Sequence, residues 1–273
     1  MGGATTVPEP AVLLRLAVRL ARDAGALLQD RPDDLQAGAK STPTDAVTVM
    51  DRASERLILA GLARHRPGDP VVAEESGSRP GAGPVTWHVD PLDGTVNYLY
   101  GLPSWSVSIA AVVDGRTVAG AVFDPARQRM FTATIAGPAR CNDTTISVSA
   151  GSQLAEALVA TGFSYDAVDR ERQAAVLTRV LPAVRDIRRA GSAALDLCAV
   201  ASGRVDAYYE EGGHSWDWLA GELIARRAGA GVARSPAGIT GRPLIAAAAP
   251  ALLAPLATLL TDAGVPGVVS AGA

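Results

Sequence analysis

At 273 residues, 48% of them hydrophobic, the chain has enough apolar material for one large domain or two closely packed halves. Its 25 Lys+Arg and 28 Asp+Glu give a formal net charge of −3, and no basic stretch points to nucleic acid as a partner. The two widely spaced cysteines, Cys141 and Cys198, exclude a disulfide framework and a zinc site of the CxxC type.

The first half of the chain predicts two helices followed by a sheet. Apolar residues recur at helical spacing over Pro10–Arg31. A second helix is predicted from near Asp51, a candidate N-cap, to Pro67, after a polar connection over Ala37–Thr48. Asp114–Gly115 is typical of a hairpin turn. Strands of an antiparallel sheet are predicted at Val71–Ala73, at Thr86–Val89, from Ser106, at Thr117–Phe123 and at Gln128–Thr134.

The second half alternates strands with helices, which favours a layered α/β lobe. We place the boundary near residue 150, with an N-terminal α+β lobe over residues 1–150 and a C-terminal α/β lobe over residues 151–273. The predicted elements are strands at Ala157–Thr161, near Ile187, at Val205–Tyr209 and at Leu244–Ala248, and helices at Ala167–Leu181, Ser192–Ser202, Trp216–Ala228 and Pro250–Ala263.

The chain does not begin with the charged-then-apolar layout of a signal peptide. Its longest apolar run, Leu244–Ala257, contains two prolines and is too short to span a bilayer. We therefore expect a cytoplasmic protein without a membrane partner.

The most informative segment is the stretch from Trp87 to Asn97, WHVDPLDGTVN. An apolar strand ends at Asp90, and Asp93 follows three residues later, so two carboxylates can face one point, where a cation would relieve their repulsion. Gly94 permits a tight backbone, and Thr95 can begin a short helix whose amides would face an anion. The segment thus predicts adjacent metal and phosphate sites, although turn formation alone would also explain an isolated Asp-Gly.

Three further segments favour the metal interpretation over a plain turn. An apolar strand at residues 71–73 runs into the acids Glu74 and Glu75, and Asp217 begins an apolar helix. Lys40 and Asp45 precede the second helix in a polar stretch. Each would be ordinary by itself, as a solvated loop or a helix cap, but together they assemble an acidic set that suits Mg²⁺.

In these segments the chain resembles the inositol monophosphatase family of lithium-sensitive, Mg²⁺-dependent phosphatases, and most closely its bacterial inositol-1-monophosphatases. The resemblance covers nearly the whole chain through five ordered motifs. They are Lys40–Asp45, Glu74–Ser76, Asp90–Asn97, Arg189–Ala194 and the pair Ala207–Glu210 with Trp216–Asp217. The implied fold is a five-layer α-β-α-β-α sandwich of the sugar-phosphatase type, and the implied assembly is a homodimer.

The resemblance implies two Mg²⁺ ions, with a third, weaker one near Glu74, and Li⁺ as an inhibitor. Glu74, Asp90 and the backbone carbonyl of Leu92 would hold the first ion. Asp90, Asp93 and Asp217 would hold the second. Hard carboxylate oxygens suit Mg²⁺, and the ions would activate a water and stabilise the leaving alkoxide.

The same resemblance assigns the catalytic residues Glu74, Thr95 and Asp51. Thr95, with Glu74 and the metal, would orient the attacking water, while Asp51 would belong to the hydrogen-bond network behind the metals. Gly94 and Thr95 would hold the phosphate, and Lys40 would lie on a mobile loop. No cysteine or serine nucleophile is needed in this scheme.

For the substrate, the resemblance implies that Ser192, Ala193 and Glu210 contact an inositol ring. Asn97, together with Glu210, favours myo-inositol 1-phosphate as the substrate. Within the family, histidinol phosphate, fructose 1,6-bisphosphate, NADP and nucleotide 3′-phosphates are alternatives. The histidines are dispensable, and we expect His214 to be structural.

Two readings of a different kind compete with this one. Haloacid dehalogenase-like phosphatases also have aspartates at strand ends, but there the second follows the first by two residues, whereas Asp93 follows Asp90 by three. That class is therefore rejected. A regulatory binding protein that retains the fold is the second alternative, and the intact acidic set argues against it.

Overall fold

The structure is a computed structural model that describes residues 7–40 and 46–271. Asp45 and its neighbours from Ser41 onward, which belong to the first predicted motif, lie outside the described residues. Seven α-helices are present in the described part: α1 (Pro10–Gln29), α2 (Val49–His65), α3 (Thr95–Leu99), α4 (Ala167–Val180), α5 (Ala193–Ala201), α6 (Ser215–Arg227) and α7 (Pro250–Asp262). The helix predictions are thus confirmed, with ends displaced by no more than a few residues.

The connection between α1 and α2 differs from its prediction. It contains two short strands, β1 (Ala37–Ala39) and β2 (Ala46–Thr48), which pair antiparallel. Thr48, not Asp51, is the N-cap of α2, because the Thr48 hydroxyl accepts from Met50 N at 3.1 Å. Asp51 is the third helical residue, and its carboxylate accepts from Thr48 N at 2.8 Å, which completes a capping box. The prediction that Asp51 is the N-cap was therefore wrong. Thr48 is the N-cap, and Asp51 completes the cap from the third helical position.

The first large sheet has eight strands in the order β10-β9-β8-β7-β6-β5-β3-β4. All neighbours are antiparallel except β3 and β5, which run parallel. The hairpin turn predicted at Asp114–Gly115 joins β6 to β7. The strands are β3 (Val71–Ala73), β4 (Gly77–Arg79), β5 (Thr86–Asp93), β6 (Ser106–Val113), β7 (Arg116–Asp124), β8 (Arg129–Thr134), β9 (Arg140–Cys141) and β10 (Thr144–Thr145).

The second large sheet has six strands in the order β12-β11-β13-β15-β14-β16. Strands β12, β11 and β13 are parallel, and the others pair antiparallel. Two of its strands, β14 and β16, were not predicted from the sequence. The strands are β11 (Leu158–Thr161), β12 (Asp186–Arg188), β13 (Ala207–Glu211), β14 (Gly231–Ser235), β15 (Leu244–Ala248) and β16 (Val269–Ser270).

The helices and sheets form five layers. Helices α1 and α2 cover the outer face of the eight-stranded sheet, α5 and α6 lie between the two sheets, and α4 and α7 cover the outer face of the six-stranded sheet. Three apolar cores fill the interfaces, with Trp87 in the first, Leu197 in the second and Leu252 in the third, all fully buried. The expected α-β-α-β-α sandwich is confirmed.

The two sheets follow each other along the chain. The eight-stranded sheet ends at Thr145 and the six-stranded sheet begins at Leu158. A boundary near residue 150 remains a prediction, because the central helices α5 and α6 pack against strands of both sheets. Among the described residues, no helix combines the length and the apolar character needed to cross a membrane.

Candidate active site

One large cleft gathers most of the residues that the sequence singled out. It has a volume of 620 Å³ and opens between the end of β5 and the start of α6. Asp51 and Ser192 do not line the cleft, although both were predicted to belong to the site. The predicted residues that do line it are Lys40, Glu74, Asp90, Leu92, Asp93, Gly94, Thr95, Ala193, Glu210 and Asp217.

An irregularity in β5 turns two of the carboxylates to the same side. Side chains three residues apart on a regular strand point to opposite faces. Here the pairing with β6 shifts, so that Asp90 is opposite Ser108 while Asp93 is opposite Ser106, only two residues away. The extra residue of this bulge brings both aspartates to one face, and Pro91 lies inside it, where a missing N–H costs no ladder bond.

Glu74 is brought beside Asp90 by the parallel pairing of β3 with β5. Ala73 is level with Val89, and Glu74 N donates to Val89 O at 3.2 Å. Both strands therefore end at the same edge of the sheet, each with an acidic residue. The two apolar strands that end in acids in the sequence thus place Glu74 and Asp90 side by side.

Asp217 comes from the other side of the cleft, in the first turn of α6. Its Oδ2 accepts from His214 N at 2.6 Å, so Asp217 belongs to a capping arrangement. The start of α6 is tied to the eight-stranded sheet by Ser108 Oγ, which donates to Trp216 O at 3.2 Å, and by a 2.8 Å contact of Ser215 Oγ with the ring of His88. These bonds hold Asp217 opposite β5.

The carboxylates perturb one another strongly. Burial, and after it the negative charges of Glu74, Asp93 and Asp217, raise the pKa of Asp90 well above its usual range. Desolvation raises the pKa of Asp93 to about 7, against the opposing effect of the Ser192 hydrogen bond. Desolvation also raises the pKa of Glu74 to about 7, although the ammonium of Lys40 lowers it. These carboxylates can all be ionised together at little cost only when a cation lies beside them.

Whether these side chains suit a metal ion depends on their donor atoms as well as their charge. No group of three or more His, Cys, Asp or Glu side chains within residues 7–40 and 46–271 already has the spacing of a metal site. The ammonium of Lys40 lies 2.8 Å from Glu74 Oε1. The donor set nevertheless fits Mg²⁺, because its ligands would be hard carboxylate oxygens. A cation between these oxygens would relieve their mutual repulsion.

Thr95 is held by hydrogen bonds behind the cleft. Its hydroxyl lies 2.8 Å from Asp51 Oδ1 and 3.1 Å from Leu92 O, both of which are acceptors. The hydroxyl proton is thus used inside the protein, and the oxygen can only accept from a further ligand. Asp51 is fully buried and acts as a positioning residue for Thr95.

Gly94 precedes α3 in a left-handed conformation with a φ of 96°. A Cβ at this position would lie 2.8 Å from Ser104 O and 3.2 Å from Gly191 O. The backbone therefore passes through a space that only glycine fits. The amides at the start of α3 have no helical partner, and Thr95 and Gly94 line the cleft there.

Ser192 has a different place from the one predicted. It is 1% exposed and lies behind the cleft wall, where its hydroxyl is 2.5 Å from Asp93 Oδ2. Ala194 N donates to the same oxygen at 2.9 Å. Its side chain therefore positions Asp93, and the contact with substrate predicted for it is not supported by this geometry.

Glu210 lines the cleft as predicted, whereas Asn97 does not. Tyr208 donates its hydroxyl to Glu210 Oε2 at 2.9 Å, and desolvation raises the pKa of Glu210 to about 7. Asn97 is buried and donates to Ala190 O and to Ser104 O, both at 2.7 Å. Asn97 thus braces the two loops beside the cleft, and its use as an indicator of inositol phosphate stays a prediction.

Sequence reasoning missed three basic side chains of the cleft wall. His214, expected to be purely structural, lines the cleft beside Asp217. Arg189 and Arg242 line it as well. Arg189 lay in a recognised motif, but Arg242 comes between two strands of the second lobe and carries no motif that could have identified it.

The fold and the site together define a class of phosphomonoesterase, in which a layered sandwich gathers carboxylates beside a glycine–threonine turn. The sequence matches the inositol monophosphatase family over residues 9–262. The chain therefore belongs to the inositol monophosphatase family and is a phosphatase.

Individual relatives agree with this assignment. The chain is 45% identical over 261 residues to the inositol-1-monophosphatase SuhB of Mycobacterium tuberculosis, covering 88% of this chain and 90% of that protein. It is 44% identical over 222 residues to the Nus factor SuhB of Pasteurella multocida, covering 80% and 83%. The solved structure of Mycobacterium tuberculosis SuhB superimposes with a TM-score of 0.81 at 43% identity, over 94% of this chain and 99% of that one.

Proposed function

We propose that the chain hydrolyses myo-inositol 1-phosphate to myo-inositol and phosphate, with two to three Mg²⁺ ions as cofactors. The observation that carries this proposal is the convergence of Glu74, Asp90, Asp93 and Asp217 on one cleft beside the Gly94–Thr95 turn. The similarity to proteins named inositol-1-monophosphatase supports the choice of substrate.

In this proposal Glu74, Asp90 and the carbonyl of Leu92 hold one ion, and Asp90 with Asp93 and Asp217 holds another. A third, weaker ion would bind near Glu74. When bound, Mg²⁺ lowers the pKa of a coordinated water and stabilises charge on the leaving oxygen.

The protein's own groups would orient the reaction. Because the Thr95 hydroxyl donates inward, its oxygen accepts a hydrogen bond from the attacking water, and Glu74 accepts another. The water oxygen attacks phosphorus and passes one proton to Glu74, the bond to the inositol oxygen breaks, and that oxygen takes up a proton from a second water as it leaves. Gly94 and Thr95 would hold the phosphate through their amides, while Ala193 and Glu210 contact the ring.

Several further properties belong to the same proposal. We infer inhibition by Li⁺, a homodimer, a cytoplasmic location and a mobile loop that carries Lys40. The two-lobe division at residue 150 is part of it too. A regulatory role is the second candidate, because one relative at 44% identity is named a Nus factor.

The test is phosphate release by the purified protein from myo-inositol 1-phosphate, fructose 1,6-bisphosphate, histidinol phosphate, NADP and adenosine 3′,5′-bisphosphate. Each is measured with Mg²⁺, with EDTA and with added Li⁺. We expect myo-inositol 1-phosphate to have the highest kcat/KM, with loss of turnover in EDTA. D90N should lower kcat/KM at least about a hundredfold, whereas D186N, at an exposed aspartate outside the cleft, should not.

Two outcomes would overturn parts of this proposal. A different leading substrate would keep the mechanism and reject inositol phosphate as the physiological substrate. Absence of turnover from folded protein would favour the regulatory role. That role would gain further support if a gene encoding the D90N variant restored the wild-type phenotype to a deletion strain.

A further inference from the structure

The cleft extends beyond the carboxylate cluster. Its 620 Å³ falls in the range that accommodates drug-sized ligands, which exceed a monosaccharide phosphate. Ser164, Asp166, Gly212 and Arg242 line this additional space. The proposed reaction gives no role to these residues.

Arg242 is a cation without a hydrogen bond in the described part of the chain. Its side chain is 54% exposed, and its ion-pair partner Asp169 Oδ2 lies 3.7 Å away, beyond hydrogen-bond distance. A guanidinium has five N–H donors in a planar fork that matches a phosphate or carboxylate. Its donors are therefore available to a ligand in the cleft.

Two acidic side chains that line the same cleft, Asp166 and Glu211, are used within the protein. Asp166 Oδ1 caps α4 by accepting from Val168 N at 2.8 Å. Glu211 Oε1 accepts from both the backbone and the hydroxyl of Thr240, each at 2.6 Å. These carboxylates are tied to turns and helix ends, so the group left to meet a ligand in this part of the cleft is the cation.

The turn at Gly212–Gly213 connects Arg242 with the carboxylate cluster. A Cβ on Gly212 would lie 3.4 Å from Arg242 Cδ, and a Cβ on Gly213 would lie 3.3 Å from Asp217 Oδ2. Adjacent residues are only about 3.8 Å apart at Cα, which puts Arg242 Cδ and Asp217 Oδ2 at most roughly 14 Å from each other. A sugar with an anionic group at each end is short enough to reach both side chains within that limit.

We propose that Arg242 determines substrate specificity by binding a second anionic group, so that the cleft also takes phosphomonoesters that carry a remote phosphate or carboxylate. This inference rests on the proposed phosphatase function and deepens it. A substrate with a remote amine, such as histidinol phosphate, would be disfavoured by the same cation.

The experiment compares two substrates that share their reacting end, fructose 1-phosphate and fructose 1,6-bisphosphate, with product analysis to confirm release of the 1-phosphate. Myo-inositol 1-phosphate is included as the test of the proposed function itself. We expect R242Q to lower the ratio of kcat/KM for the bisphosphate over the monophosphate about tenfold, since hydrogen bonds between charged groups are of that strength. R242K, which keeps the charge, should retain part of the ratio.

The matched control is R140Q, at an exposed arginine outside the cleft whose Nη1 donates to Asp143 O at 2.7 Å. It should leave the ratio unchanged. If R242Q leaves the ratio of kcat/KM for the bisphosphate over the monophosphate unchanged, the role of Arg242 is overturned while the proposed function stays intact. A tenfold fall of that ratio in R189Q alone would assign the role to Arg189 instead. If the wild-type protein hydrolyses neither myo-inositol 1-phosphate nor fructose 1-phosphate, the proposed function fails, and this inference fails with it.

Discussion

Asp51 accepts hydrogen bonds from two different elements through its two carboxylate oxygens. Oδ2 accepts from the amide and hydroxyl of Thr48 at the start of α2, and Oδ1 accepts from Thr95 in the cleft wall. One buried residue thus joins a helix cap to the orientation of the Thr95 hydroxyl. This arrangement predicts that a change at Asp51 affects stability and turnover together.

We expect D51N to lower the free energy of unfolding by about 1–3 kcal/mol, because an amide nitrogen would face groups that donate. It should also lower kcat about 10- to 100-fold with a smaller change in KM, as expected when a supporting hydrogen bond is lost. Urea denaturation and steady-state kinetics measure the two effects. The control T48A removes the cap but not the bond between Asp51 and Thr95. It should lower the free energy of unfolding by about 1 kcal/mol with a smaller loss of kcat than D51N. Equal losses of kcat in both variants would contradict this account.

Gly94 provides a second prediction at the residue scale. In G94A the methyl group would meet two backbone carbonyls while φ remains positive. We expect a loss of stability of about 1–3 kcal/mol and a higher KM, because the amides that we propose to hold the phosphate would shift. G101A is the matched control: Gly101 also has a positive φ, of 71°, but nothing lies within 4 Å of its added Cβ. If both variants lose the same stability, the close approach at Gly94 is irrelevant.

At the scale of elements, the contact between α5 and α6 controls the geometry of the site. A Cβ on Gly221 in α6 would lie 2.8 Å from Leu197 Cβ and 3.2 Å from Ala194 O in α5. Ala194 also donates its N–H to Asp93. The close packing of these two helices therefore sets the position of one of the carboxylates.

We expect G221A to destabilise the protein by about 1–3 kcal/mol, because the core must accommodate an extra methyl group against a backbone carbonyl. Glycine to alanine in a helix otherwise stabilises by about 1 kcal/mol, so the sign of the change is the test. Thermal or urea denaturation measures it. Increased stability would show that the helices can separate without cost.

At the scale of the whole molecule, the acidic cleft makes stability depend on pH. The pKa values of Glu74, Asp93 and Glu210 are each raised to about 7, above the value near 4 expected for an unfolded chain. The folded protein thus binds protons more tightly than the unfolded chain. The stability that these groups contribute is fully present below about pH 4 and is lost as the pH rises through about 7.

For protein in EDTA we therefore predict a free energy of unfolding that falls from pH 5 to pH 8, measured by urea denaturation. Added Mg²⁺ should restore stability at pH 8 and have less effect at pH 5, where protons compete for the carboxylates. D90N should flatten the pH dependence by removing one of the repelling charges. D186N, at an exposed aspartate, should leave the slope as it is, and a stability in EDTA that rises with pH would contradict the prediction.

The sequence by itself determined the elements and the identity of the acidic residues. Apolar periodicity marked helices α1, α2 and α4 to α7, and Glu74, Asp90 and Asp217 each stood next to an apolar strand or helix. Hydrophobic pattern is a local property, so it can be read along the chain. Strands β1, β2, β4, β9, β10, β14 and β16 were not predicted, because their pairing partners, not their own composition, make them strands.

Tertiary structure alone decided how these residues act together. The bulge in β5 depends on register with β6, and it determines that Asp90 and Asp93 face the same way. Ser192 reaches Asp93 across 99 positions of sequence, and Asn97 reaches Ala190 across 93. Such contacts arise where layers pack, so the positions of Ser192, Asn97 and Arg242 relative to the cleft follow from the folding of the sandwich and not from any pattern of neighbouring residues.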